Sequence, residues 1–151
     1  MTPSEFEIGA LVPGAASPGT EAAPAGPLPP VVEFDHVTMT YDTGLTAIRD
    51  VTFTVEDLPG RGEFISMLGP SGCGKSTILR LIAGLRPQHP ATSGTVKVCG
   101  IPVAGPGADR GMVFQDYTAF DHLSVVDNIA FGLKCRGVGA RARRERALGW
   151  I

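Results

Sequence analysis

The sequence predicts an α/β fold, and three observations carry that expectation. Two stretches after Val31 alternate apolar and polar residues with period two, as strands do. Phe64-Ile65-Ser66-Met67-Leu68 is a short, nearly continuous apolar run. Directly after a glycine-rich loop, Ile78, Leu81, Ile82 and Leu85 recur at helical spacing. Strand, loop and helix in that succession describe a sheet with a helix packed against it.

In chain order, residues 1–30 contain seven Pro, four Gly and six Ala with unpatterned apolar residues. Such a segment cannot bury enough apolar surface to offset the entropy of ordering it, so a disordered tail is expected there and an ordered domain over 31–151. Val32 and Phe34 alternate with Glu33 and Asp35, and Val37, Met39 and Tyr41 with Thr38 and Thr40. The phase slips at His36, which predicts a bulge. After the turn signal Asp42-Thr43-Gly44, Val51, Phe53 and Val55 alternate with Thr52, Thr54 and Glu56, giving an antiparallel pair with one polar face. Leu58 to Gly62 reads as a second turn, and the run from Phe64 to Leu68 as a strand covered on both faces.

The helix after the loop is expected to stop near Arg86, before Pro87. Thr95 to Cys99 reads as a short strand, Ala104 to Asp109 as loop, and Gly111 to Phe114 as a brief strand ending at Gln115. Ser124, with Asp127 three residues on, resembles a capping-box helix start, and Ile129, Ala130 and Leu133 form the apolar side of that helix. A final helix is expected near Ala140 to Ile151, burying Ala147, Leu148 and Ile151. The boundary between core and helical part falls at 116, giving 31–116 and 117–151. No internal repeat is present.

Composition narrows the functional classes. At 43% hydrophobic and 19% charged, the 151-residue chain is globular in character. No apolar run approaches the roughly 18 residues that cross a bilayer, and no Lys or Arg precedes Arg49, so the chain is expected to be soluble and unexported. Cys73, Cys99 and Cys135 are odd in number and far apart, which argues against a disulfide framework or zinc site and fits a reducing cytosol. His36, His89 and His122 share no ligand spacing. The net charge of −2 conceals an asymmetry: from Lys134 to Ile151 there are six basic residues and one acid, Glu145. That run reads as a solvated helix face. Trp150 is a lone aromatic rather than the interleaved set of a single-strand binder, so no nucleic-acid partner is expected.

The chemistry lies in Gly69-Pro70-Ser71-Gly72-Cys73-Gly74-Lys75-Ser76-Thr77, which satisfies G-x-x-x-x-G-K-[ST], the Walker A pattern of a P-loop. Its glycines let successive N–H groups point inward at the start of a helix, a nest for the charge of a triphosphate. Lys75 would place a cation on the β- and γ-phosphates, Ser76 would supply a hydroxyl to Mg²⁺, and Thr77 would add a hydrogen bond to the α-phosphate. Cys73 would contribute its backbone N–H.

The loop, with the following Leu79-Arg80-Leu81-Ile82-Ala83-Gly84-Leu85, resembles the nucleotide-binding subunit of ATP-binding-cassette (ABC) transporters. The resemblance extends over Val31 to Ile151, including Thr92-Ser93-Gly94-Thr95-Val96 and Leu123-Ser124-Val125-Val126-Asp127-Asn128. It implies a P-loop NTPase fold of ABC type: an antiparallel β element, a core sheet carrying the P-loop helix, and the start of a helical subdomain. It implies that Tyr41 stacks on adenine. It also implies that Gln115 is the Q-loop glutamine, a catalytic residue reaching Mg²⁺ and the attacking water. ATP and Mg²⁺ follow as ligands, and transmembrane permease subunits and a second, head-to-tail ATP-binding subunit as partners. The implied location is the cytoplasmic face of the membrane, held there through those partners.

Phe114-Gln115-Asp116-Tyr117-Thr118-Ala119-Phe120 most resembles importers of the nitrate, sulfonate, taurine and bicarbonate type. The family's signature sequence, Walker B pair and switch histidine lie beyond the Q-loop and are not found here, so the chain reads as an N-terminal fragment. A nucleotide-binding module without catalysis, and a non-transport ATPase acting on nucleic acid or ribosomes, stay open beside the importer reading. Leu58 to Arg61 lengthens the segment from Tyr41 to Lys75 relative to the family pattern.

Overall fold

The computed structural model describes residues 7–13, 28–58, 60–116 and 118–151. The elements are β1 (Glu7–Pro13), β2 (Val32–Thr40), β3 (Thr46–Val55), β4 (Glu63–Leu68), α1 (Lys75–Ala83), β5 (Ser93–Val98), β6 (Ile101–Pro102), α2 (Val125–Cys135) and α3 (Ala140–Leu148). They fall into two compact units, Met1–Met112 and Val113–Ile151, a division four residues before the one expected at 116.

In the first unit, β3-β2-β5-β6 form a four-stranded antiparallel sheet. The bulge expected at His36 is present: pairing with β3 slips between Phe34 and Val37, and His36 adopts φ 50°. Its freed N–H donates to Thr52 Oγ1 at 3.0 Å, and Asp50 N–H donates to Thr38 Oγ1 at 2.9 Å, so the irregular backbone keeps its hydrogen bonds. The slip turns Phe34, Val37 and Met39 onto one face.

Against that face α1 lays Ile78 and Leu81, which with Phe34, Val37, Met39, Ile48 and Val96 make the buried core; Met67 of β4 packs at its margin. Phe34 and Phe53 stack with ring centroids 4.6 Å apart. The helix ends at Ala83, three residues before the expected stop at Arg86. Gly84 is the reason: it adopts φ 71°, and its N–H returns to the carbonyls of Arg80 and Leu81. A β-carbon there would meet the Gly105 carbonyl at 2.3 Å, so only glycine ends the helix at this close approach.

Three expectations for residues 1–114 need correction. Residues 7–13, placed in a disordered tail by composition, form β1, which pairs antiparallel with β4 from Glu7 opposite Leu68 to Pro13 opposite Glu63. Composition speaks to side-chain burial, whereas a ladder is made by backbone groups and needs no apolar pattern. Of the rest of that expectation, 28–30 carry no regular secondary structure, and 1–6 and 14–27 lie outside the described residues, as do Pro59 and Tyr117.

The second correction is to β4, which is not covered on both faces: Phe64 is 70% and Leu68 63% exposed. Phe64 and Leu68 share one face of the strand, which an antiparallel pair can leave to solvent while Met67 on the other face meets the core. The third is to Gly111–Phe114, which forms no strand, and Val113 is 98% exposed. An apolar run becomes a strand only beside an open edge, and no described strand pairs with it.

In the second unit, Ser124 caps α2 as expected. Its Oγ accepts from Asp127 N–H at 3.2 Å and donates to the Asp127 carboxylate at 2.6 Å. Asn128 ties the preceding turn to the helix: its Oδ1 accepts from Phe120 N–H at 2.8 Å, and its Nδ2 donates to Phe120 O at 3.1 Å. The Phe120 and Phe131 rings lie 4.4 Å apart. α2 and α3 pack together with Ala130 and Ala147 buried. Leu148 and Ile151, expected in the core, are 53% and 70% exposed, because α3 is short and arginine-rich and a two-helix contact covers only small residues. No described helix is long and apolar enough to cross a membrane.

Candidate functional site

The loop from Gly69 joins β4 to α1 and closes on the first residue of that helix. Lys75 Nζ donates to the carbonyls of Gly69 and Pro70, each at 2.7 Å, and lies 3.5 Å from Cys73 Sγ. Cys73 N–H donates to Pro70 O at 3.4 Å, and Ile78 N–H reaches back to Gly74 O at 3.0 Å. Cys73 is buried, so its side chain packs inward while its backbone takes part in the loop. Gly74 is the N-cap residue, at φ 101° and without a capping side chain.

Three features make this helix start receptive to negative charge. The first-turn N–H groups have no intrahelical acceptor, Gly74 supplies no side-chain acceptor, and the turn holds no acidic residue. The Lys75 ammonium adds a full positive charge bound only to neutral oxygens and a sulfur. Ser71, Gly72 and Ser76 are exposed and Thr77 is buried, so the loop backbone and the Ser76 hydroxyl are accessible from solvent. An anion with several oxygens can exchange for the two carbonyls now on Lys75, and an exposed hydroxyl at Ser76 suits a hard cation held between that anion and the protein.

Tyr41 comes to this helix from the end of β2. Its backbone N–H donates to Leu45 O at 2.9 Å, and its carbonyl accepts from Gly44 N–H at 2.8 Å, which anchors the turn. The ring packs half-buried against the core. Its hydroxyl lies 3.4 Å from Thr77 Oγ1 and accepts from Gln88 Nε2 at 2.9 Å. The lengthened segment at Leu58 to Arg61 lies between β3 and β4 and does not part Tyr41 from the helix.

The structure therefore brings together Tyr41, Gly69, Cys73, Gly74, Lys75 and Thr77. Gln115 belongs to the other unit, where it lies exposed in a bend. Gln88, 3% exposed, escaped sequence reasoning although it holds the Tyr41 hydroxyl. A single glutamine between Pro87 and His89 carries no pattern, and only the folded chain places it beside Tyr41.

Residues 48–151 match the family model described as ABC transporter. Taurine import ATP-binding protein TauB of Burkholderia pseudomallei is 54% identical over 103 residues, covering 68% of this chain and 37% of that protein. Nitrate import ATP-binding protein NrtD of Synechocystis is 42% identical over 117 residues, covering 78% of this chain and 41% of its own length. The chain thus spans about two fifths of the curated relatives it matches. Among solved structures, the dimeric post-hydrolysis ATP-binding cassette MJ0796 bound to ADP and Pi superposes with a TM-score of 0.59 at 28% identity, covering 78% of this chain and 54% of that one. The fold is that of an ABC ATPase domain in part. With its family model matched over 48–151, the chain belongs to the ABC transporter family.

Proposed function

We propose that the chain binds MgATP through the Gly69–Thr77 loop and acts as the ATP-binding part of an importer for a small solute of the taurine or nitrate class. The observation that carries this reading is Lys75 Nζ gathered by the loop carbonyls at the start of α1, within the segment that matches the family. In this reading the backbone N–H groups of Ser71, Gly72, Cys73 and Gly74 hold phosphate oxygens, and Lys75 moves from its carbonyls to the β- and γ-phosphates. Ser76 gives its hydroxyl to Mg²⁺, Thr77 bonds the α-phosphate and Tyr41 stacks on adenine. Gln115 would be the residue to meet Mg²⁺ and the attacking water. Mg²⁺, when bound, offsets charge that builds on the phosphates as water attacks.

Hydrolysis of ATP to ADP and phosphate is assigned to the assembled transporter, in which two such subunits close head to tail and work permease subunits from the cytoplasmic face. The names of the relatives as import ATP-binding proteins support those partners.

Isothermal titration of the chain with MgATP tests the reading. Lys75→Ala is expected to weaken binding by roughly ten- to a hundredfold, the worth of lost charge-assisted hydrogen bonds. Ser76→Ala should weaken binding with Mg²⁺ more than without it. Equal affinity in wild type and Lys75→Ala would remove the proposed function.

A further inference from the structure

Gln88 is 3% exposed, and its Nε2 donates to the Tyr41 hydroxyl at 2.9 Å, while its Oε1 has no hydrogen-bond partner among the described residues. A buried amide whose oxygen is left without a partner is costly. What the amide secures for that cost is the direction of a relay. The Tyr41 hydroxyl has one proton and two neighbours, Gln88 and Thr77. If the amide N–H fills a lone pair on the phenol oxygen, the phenol proton is left for Thr77 Oγ1 at 3.4 Å. Thr77 Oγ1 then accepts from within, and its own proton is free to point at whatever sits at the start of α1. The opposite direction, Thr77 to Tyr41 to Gln88 Oε1, would turn lone pairs of Thr77 towards an anion and repel it.

We infer that Gln88 is a positioning residue that polarises the chain Gln88, Tyr41, Thr77 outward, so that Thr77 offers a proton to a phosphate oxygen of the nucleotide. This rests on the proposed function. It adds a residue from the loop after α1, outside the phosphate-binding motif, and gives the Tyr41 hydroxyl a task separate from the stacking of its ring. The relay acts on phosphate and not on the base.

The test is binding of MgATP and of adenosine to the full chain carrying Gln88→Leu, Tyr41→Phe, or both, with thermal melting of each variant. Each single change is expected to lower MgATP affinity about two- to tenfold, the range of one hydrogen bond, and Gln88→Leu to leave adenosine affinity unchanged. The double variant should bind no worse than the weaker single variant, because the two residues act on one proton. Additive losses, or a matching loss for adenosine, would show that Gln88 merely packs against the ring and would overturn the inference. If Gln88→Leu fails to fold, Gln88→Met and Tyr41→Phe provide the same cycle, and independent effects there overturn it equally. Absence of Lys75-dependent MgATP binding in the wild type is a different outcome: it removes the nucleotide reading, and the relay with it.

Discussion

Gly74 and Ile48 approach more closely than any side chain at position 74 would allow: a β-carbon built on Gly74 would stand 2.5 Å from Ile48 Cγ2 and 2.9 Å from the Ala47 carbonyl. The last residue of the loop is thereby pressed against β3, and φ 101° there is a conformation that side chains rarely adopt. Gly74→Ala is expected to cost on the order of 1–3 kcal/mol of stability and to weaken MgATP binding by shifting the start of α1. Gly62→Ala, with open space around it, should change neither. Denaturant unfolding and nucleotide titration of the two variants provide the comparison. Equal stability would mean that the loop end is not held by this contact.

The core beneath the loop depends on Leu81, which is fully buried among Phe34, Val37, Met39 and Ile48. Leu81→Ala is expected to destabilise the chain by about 2–5 kcal/mol, while Leu79→Ala, on the half-exposed side of the same helix, should cost under about 1 kcal/mol. Chemical denaturation midpoints measure the difference, and similar losses would place the apolar face of α1 elsewhere.

At the β2 bulge, His36 Nδ1 lies 2.6 Å from Asp50 Oδ1 with both side chains exposed. That hydrogen bond, the charge of Asp50 and the charge of Asp35 hold the His36 pKa above its ordinary 6.5. Because the folded value is raised, the stabilisation is fully present below about pH 6.5 and is lost as pH rises through the folded value. Proton NMR of the His36 ring should show a midpoint above 6.5 that falls towards it in Asp50→Asn. A midpoint unmoved by that change would dissociate the pair.

Ser124 accepts from Asp127 N–H and so satisfies one open donor of α2. Ser124→Ala is expected to cost about 1 kcal/mol, concentrated in the second unit. Amide exchange along α2 reports it locally; unchanged protection at Asp127 and Asn128 would mean that the cap contributes nothing.

Local features were legible from sequence. The β2–β3 pair with its bulge at His36, the α1 spacing that buries Ile78 and Leu81, the Ser124 cap and the phosphate-loop pattern each depend on neighbours within a few residues or across one short turn. Features that depend on a distant partner were not. Phe64 and Val113 look like core residues by composition, yet their exposure depends on which strands are present to cover them. By rule Pro87 ends α1 near Arg86, whereas the approach of Gly105 sets its end at Gly84.

The amino-acid sequence by itself determined the family motif and the chemistry of its groups, because a glycine, a lysine and two hydroxyls at fixed spacing carry their backbone freedom, charge and donors wherever they fold. Only the tertiary structure decided that Tyr41 meets Thr77 and that a buried Gln88 stands behind them. Those contacts join residues separated by 36 and 47 positions, and packing of α1 on the sheet, rather than any local preference of the chain, closes such distances.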